Sequence, residues 1–283
     1  MLSAFPAELA PFIEQATIDD TTVLEGRVFR GGVLAGVPVV LGLTGIGLVN
    51  AAVTTAAVLE HFAVTGVVVS GVAGSSLRIG DVTVPAAWTL ADGTVYAAHR
   101  EWIELAGEMA VSGSVPLQRC TVVPAVSSQE PVCVLDEPAV VVGGFGQSSD
   151  PFNGMPFPCQ ADGGDVFGCD VTAEGTAVAG SGGNRRAAGD LTTVDPDAPV
   201  VSDMETAAIA RAAAVRGIPF IAFRAVSDGA GDPLGLPGFP VQFFAYYRLA
   251  ARNAAAATVA FLERVAAIRP EQTGNAGAEN PPG

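Results

Sequence analysis

Over residues 1–110, short solid apolar runs alternate with longer stretches of helical composition. Val39-Val40-Leu41-Gly42-Leu43, opened by Pro38, predicts a strand buried on both faces and reads on to Gly45-Ile46-Gly47. Leu48 to Phe62 has the length and Ala/Leu content of a helix. Gly66 to Ser70 is the next strand, with Gly71-Val72-Ala73-Gly74 as the turn that stops it, and Gly80 to Pro85 opens another. Ahead of these, Met1-Leu2-Ser3 reads as the tail of a first strand and Ala7 to Gln15 as a helix. Strand, helix, strand is the rhythm of a parallel sheet.

Residues 111–200 change character, being rich in Gly, Pro, Ser and Asp. Val140 to Gly144 predicts a strand, and Met155 to Asp190 an irregular surface insertion. A loop of that length is expected to be functional or covalently stapled. Patterning returns at Val200. Met204 to Arg216 is an Ala-rich helix ended by Gly217, with Pro219 just beyond. Phe220 to Val226 is a strand, Ser227-Asp228-Gly229-Ala230-Gly231-Asp232 a polar turn, and Val241 to Ile268 a long apolar helix. The expected organisation is one domain over residues 1–268, with an insertion at 153–199 and a disordered tail at 269–283.

With 49% hydrophobic residues in 283, one large α/β domain is expected. Mean hydropathy of +0.43 prompts a search for a membrane span, but the apolar runs fall short of the roughly 18 residues a span needs. The formal charge is −15 and every basic side chain is an arginine. That balance argues against nucleic-acid binding. Without lysine there is no P-loop lysine, Schiff base or lysine general base. Two histidines, His61 and His99, leave little for a metal site, and no G-x-S-x-G elbow occurs. No metal or organic cofactor is expected, so catalysis must rest on carboxylates.

The four cysteines fall as two nearby pairs, Cys120 with Cys133 and Cys159 with Cys169. In Pro/Gly-rich surroundings this reads as two small disulfide loops and an oxidising compartment; four unrelated buried thiols are the alternative. The abrupt start at Met1-Leu2-Ser3 fits a removed leader or a truncated chain, so export is the expectation, with a cytoplasmic location as the alternative.

In open parallel sheets, ligands bind beyond the carboxyl ends of the strands. Three carboxylate-bearing segments fall at such places: Ala7-Glu8, Asp203-Met204-Glu205 and Ser227-Asp228. Arg224, inside an apolar strand, keeps its charge when buried and so requires a carboxylate partner. Each carboxylate also has a plainer reading. Ser202-Asp203-Met204-Glu205 fits a capping box, Asp228 fits a turn or helix cap, and Glu8 suits a helix's first turn. Gly45-Ile46-Gly47 is a poor dinucleotide fingerprint, because Asn50 stands where the third glycine belongs and the next strand ends at Ser70.

Taken together, these residues resemble the nucleoside phosphorylase and nucleosidase superfamily, closest to the 5′-methylthioadenosine/S-adenosylhomocysteine nucleosidases. The resemblance rests on Ala4-Phe5-Pro6-Ala7-Glu8, on Gly45 through Ala52, and on Ser70 through Gly74 with Ile79-Gly80-Asp81-Val82. Asp203 through Ala208 and Pro219 through Asp228 complete it. Gly80 to Pro85 with Trp88, and Phe244 to Asn253, look more like plant-type members, storage proteins among them.

The resemblance implies a three-layer α/β/α domain with a mixed central sheet and a small-molecule purine nucleoside as partner. It also implies a homo-oligomer, a dimer before other assemblies. By position, Glu8 is the base that activates water and Asp228 the acid that protonates N7 of the departing purine. Glu205 grips the ribose hydroxyls, Met204 packs under the sugar, and Phe152 of Ser148-Ser149-Asp150-Pro151-Phe152 stacks on the base. Val72, Ala73, Gly74 and Ser227 line the substrate, with Arg224 in support. Val72 stands where bacterial nucleosidases often carry serine, so water must be positioned differently. A phosphorylase is the nearest rival, but Val69 and Ser70 replace its phosphate arginine and Phe5-Pro6-Ala7-Glu8 its phosphate loop. A non-catalytic purine-binding or storage protein is the rival from another class.

Overall fold

The computed structural model of the chain describes residues 1–123, 130–171 and 201–268. The part of the expected insertion beyond residue 171, and the tail at 269–283, lie outside these.

The strand β1 (Leu2–Ser3) leads into α1 (Pro6–Ile13), which Pro6 starts at a position needing no N–H donor. An antiparallel meander follows: β2 (Thr17–Leu24), β3 (Arg27–Leu34) and β4 (Val37–Leu43). Its two-residue turns, Glu25-Gly26 and Ala35-Gly36, have positive φ throughout, the conformation that matches strand twist. The helix α2 (Leu48–His61) then crosses to β5 (Val67–Arg78). Short strands β6 (Val82–Val84), β7 (Ala87–Thr89) and β8 (Val95–Ala97) precede α3 (Arg100–Ser112).

The cysteine-bearing region holds the two-residue strands β9 (Cys120–Thr121) and β10 (Val132–Cys133), joined by the Cys120–Cys133 disulfide. After β11 (Val140–Val142) and β12 (Phe145–Ser148), the Cys159–Cys169 disulfide closes a loop around the one-turn α4 (Gly164–Phe167). The last described segment, residues 201–268, carries β13 (Val201–Asp203), α5 (Thr206–Val215), β14 (Phe220–Ala230) and α6 (Val241–Ile268).

One mixed sheet carries the order β2-β3-β4-β1-β5-β13-β12-β7-β8, with β14 parallel to β5 and antiparallel to β6. Along β5, Val68 and Val72 pack toward α1, α3 and α6, while Val67, Val69 and Ala73 pack toward α2 and α5. Alternation with both faces buried makes the fold a three-layer α/β/α domain, as the resemblance implied.

Two sequence readings need correction. Gly71-Val72-Ala73-Gly74 does not stop β5, which runs through it to Arg78. Nor is Ser227-Asp228 a turn, because β14 continues through Ala230 with Asp228 paired to Gly74. In β5, Gly71 and Gly74 leave room for the side chains of Glu8, Arg224 and Asp228. Among the described residues, no helix is long and apolar enough to cross a membrane.

Candidate active site

Period-two alternation along β14 sends Phe220, Ala222 and Arg224 to the α2/α5 side, so Arg224 meets the start of α5. It is 1% exposed. Its Nη2 lies 2.6 Å from Asp203 Oδ2 and 3.4 Å from Glu205 Oε2, and its Nη1 lies 3.6 Å from Glu8 Oε1. Nε donates to Thr206 Oγ1 at 2.9 Å. Three carboxylates thus share one guanidinium, in a space where any uncompensated charge is costly.

Backbone donors hold each carboxylate in place. Glu8, from the first turn of α1, accepts the Ala4 N–H at 2.6 Å and the Val72 N–H at 2.7 Å. Glu205 accepts the Gly47 N–H at 2.8 Å. Asp203 takes the N–H groups of Glu205 and Thr206 and the hydroxyls of Ser148 and Thr206. The capping box is therefore not formed. Asp203 caps α5, the Ser202 hydroxyl turns to Gly74 O, and the Glu205 carboxylate is free to face the site. Gly71 makes the cluster possible, since a Cβ there would stand 2.2 Å from Arg224 Nη1 and 2.3 Å from Glu8 Oε1.

The other end is different. Asp228, half-buried in β14, accepts the Ser227 hydroxyl at 2.7 Å. A Cβ on Gly74, its register partner, would stand 2.5 Å from its Oδ2. Among the described residues no ion pair reaches Asp228. Burial raises its carboxyl above the ordinary range, and only the Ser227 hydrogen bond opposes this. Burial also raises Glu8, against the pull of Arg224 and the backbone N–H groups. Glu205 is pushed up to about 8, first by burial and then by the charge of Asp203.

Val72 and Ala73 are buried beneath these groups, and Met204 is half-buried between Asp203 and Glu205. The Phe152 ring lies against Gly47, where a Cβ would come within 2.8 Å of it, and its centroid is 4.8 Å from that of Phe157. All ten of the residues expected at the site are thus in the described structure, and Phe152 reaches it through Gly47.

Sequence reasoning assigned no role to Asp203, Ser148, Thr206 or Asn50. Asp203 is the nearest partner of Arg224, and Ser148 ties it to β12 and to the Ala207 N–H. Asn50 joins Ile46 O and Phe157 O through its Nδ2 and accepts from Arg27. The only sequence signals were that Asp203 stands two residues before Glu205, and that Asn50 interrupts a glycine pattern.

The model of the family described as the Phosphorylase superfamily matches residues 1–153 and 160–263. The chain belongs to the phosphorylase superfamily. Among curated relatives, it is 29% identical to a 5′-methylthioadenosine/S-adenosylhomocysteine nucleosidase of Shewanella denitrificans, covering 93% of this chain and 97% of that protein. It is 35% identical to an uncharacterized protein of Mycobacterium tuberculosis, over 59% of this chain and 74% of the other. Among solved structures, it resembles the Neisseria meningitidis 5′-methylthioadenosine/S-adenosylhomocysteine nucleosidase in complex with methylthio-immucillin-A. The TM-score is 0.63 at 22% identity, covering 93% of this chain and 97% of that one. The futalosine hydrolase of Helicobacter pylori gives 0.61 at 18%, over 93% and 96%. At these identities the likeness to solved structures establishes the fold.

Proposed function

We propose that this superfamily member is an inverting purine nucleosidase, acting on adenosine-type nucleosides. The observation that carries the reading is the contrast between two carboxyl groups. Glu8 is pinned by two N–H groups beside a guanidinium, while Asp228 is half-buried with a hydroxyl as its partner.

Cleaving a ribosyl bond passes through an oxocarbenium-like state, and a purine leaves well once protonated. Asp228, whose carboxyl burial raises above the ordinary range, gives its proton to N7 as the C1′–N9 bond breaks. Water attacks C1′ from the opposite face and passes a proton to the Glu8 carboxylate, so the products are the free base and the free sugar. Each such proton transfer contributes roughly 10²–10⁴ in rate. Glu205 accepts the ribose hydroxyls, with its second oxygen fixed by Gly47, and those bonds tighten as positive charge builds on the sugar. Phe152, Met204, Val72, Ala73 and Gly74 supply apolar and flat backbone surface around the nucleoside, and Ser227 orients Asp228.

The test is base release from adenosine, methylthioadenosine, inosine and guanosine, with and without phosphate, with the sugar product identified. Hydrolysis gives free sugar at a rate indifferent to phosphate. Release that requires phosphate and yields a sugar 1-phosphate makes the protein a phosphorylase. Tight binding without release makes it a binding protein.

A further inference from the structure

Beside the carboxylate cluster lies a cavity of about 10 Å³, room for about one water. Ala4, Arg27, Gly45 and Ile46 line it on one side, and Phe157 and Phe167 on the other. The Ala4 side runs between the two carboxylate anchors, since the Ala4 N–H holds Glu8 and Gly47, next after Ile46, holds Glu205. Asp228 and Gly74 do not border it. For a nucleoside seated with its base at Asp228 and its 2′ and 3′ hydroxyls at Glu205, the ribose carbon left to face this cavity is C5′.

The Phe157/Phe167 wall is fastened in four ways. The Cys159–Cys169 disulfide closes residues 159–169, which carry Val166 and Phe167, into a ring, with Phe157 just ahead of it. Arg30, on β3, holds Asp170 with two bonds of 2.8 and 2.7 Å. Arg248, on α6, holds Asp165 at 2.5 Å, and Asn50, on α2, holds Phe157 O at 2.6 Å. The Phe157 and Phe167 rings stand 6.1 Å apart across the wall, and Val166 and Phe167 pack into the main core. A segment tied to three separate elements and to itself yields less readily than a loop held at its ends alone.

We propose that this disulfide-closed loop limits the length of the 5′ substituent. The substrate is then a purine nucleoside bearing a 5′-hydroxyl or a short 5′ group, and nucleosides with an extension of amino-acid length are rejected. The inference rests on the nucleosidase reading for the orientation of the sugar. It assigns Phe157 and Phe167 as specificity-determining residues.

The experiment measures kcat/KM for adenosine, methylthioadenosine and S-adenosylhomocysteine with the wild type and with a Phe157→Ala/Phe167→Ala variant. Binding of the same three compounds to Asp228→Asn protein is measured by calorimetry alongside. In the wild type, S-adenosylhomocysteine is expected to fall at least about tenfold below adenosine, with methylthioadenosine between them. The double variant is expected to restore the S-adenosylhomocysteine-to-adenosine ratio by about tenfold. Equal processing or binding of the short and long compounds by full-length wall-intact protein overturns the proposal. So does discrimination that a folded double variant leaves unchanged. Failure of the nucleosidase reading looks different: none of the three is cleaved, yet the order by length persists in binding. Absence of binding for all three overturns both.

Discussion

The two ends of the site hold carboxyl groups by opposite means. At one end Glu8, Asp203 and Glu205 crowd around Arg224, and backbone N–H groups hold each of them. At the other, Asp228 leans on Ser227 with no cation in reach among the described residues. Pairing and hydrogen bonds favour the charge of a buried carboxylate, as Arg224 and backbone N–H groups do against burial at Glu8, whereas burial without a cation favours the proton. In the proposed mechanism this difference in neighbours is what separates the base, Glu8, from the acid, Asp228.

Removing the shared cation is expected to have the largest effect. Arg224→Met leaves three buried carboxylates without a counter-ion and should cost about 3–5 kcal/mol of stability, read by urea unfolding. A loss below about 1 kcal/mol would mean that the cluster does not depend on the guanidinium.

Glu8→Gln is nearly isosteric, and the amide still accepts one N–H. It should lower kcat by about 10²–10⁴ while shifting KM far less, because the step it removes is proton transfer from water. An equal change in both constants would make Glu8 a binding group instead.

The pH dependence of stability gives a smaller effect that reports on the same cluster. Glu205 is raised from an ordinary 4.5 to about 8, so between these values the folded protein binds more protons than the unfolded chain. Stability is therefore expected to fall as pH rises through that window. Raised values at Glu8 and Asp228 act in the same direction. Melting temperature against pH should slope downward from pH 5 to pH 8, and Glu205→Gln should flatten that slope. An unchanged slope in the variant would place the titration elsewhere.

Much of this arrangement could be read from the sequence. The helix Val241–Ile268 and the strands containing Val39–Leu43 and Phe220–Val226 were visible as predominantly apolar segments. Glu8, Glu205 and Asp228 stood out at the ends of elements. The strand β2 did not, since most of its residues face solvent and Thr17–Leu24 shows no apolar alternation. Its turns use Glu-Gly and Ala-Gly, without the Asn or Asp that marks many tight hairpins. Gly71 and Gly74 look like chain breaks in one dimension. In three dimensions they are the places where Glu8, Arg224 and Asp228 occupy the space of a side chain. Asp203 was hidden for a related reason, since its partners Arg224, Ser148 and Thr206 come from three different elements.

The role of Asp228 is the point on which the proposed chemistry turns, and single-turnover base release from adenosine in phosphate-free buffer addresses it. Asp228→Asn keeps the shape and its contact with Ser227 but has no proton of carboxylic acidity to give. The release step should slow by about 10²–10⁴ with nucleoside binding retained. A release rate within about threefold of wild type would show that the purine leaves without this acid, and would remove the basis for assigning opposite duties to Asp228 and Glu8.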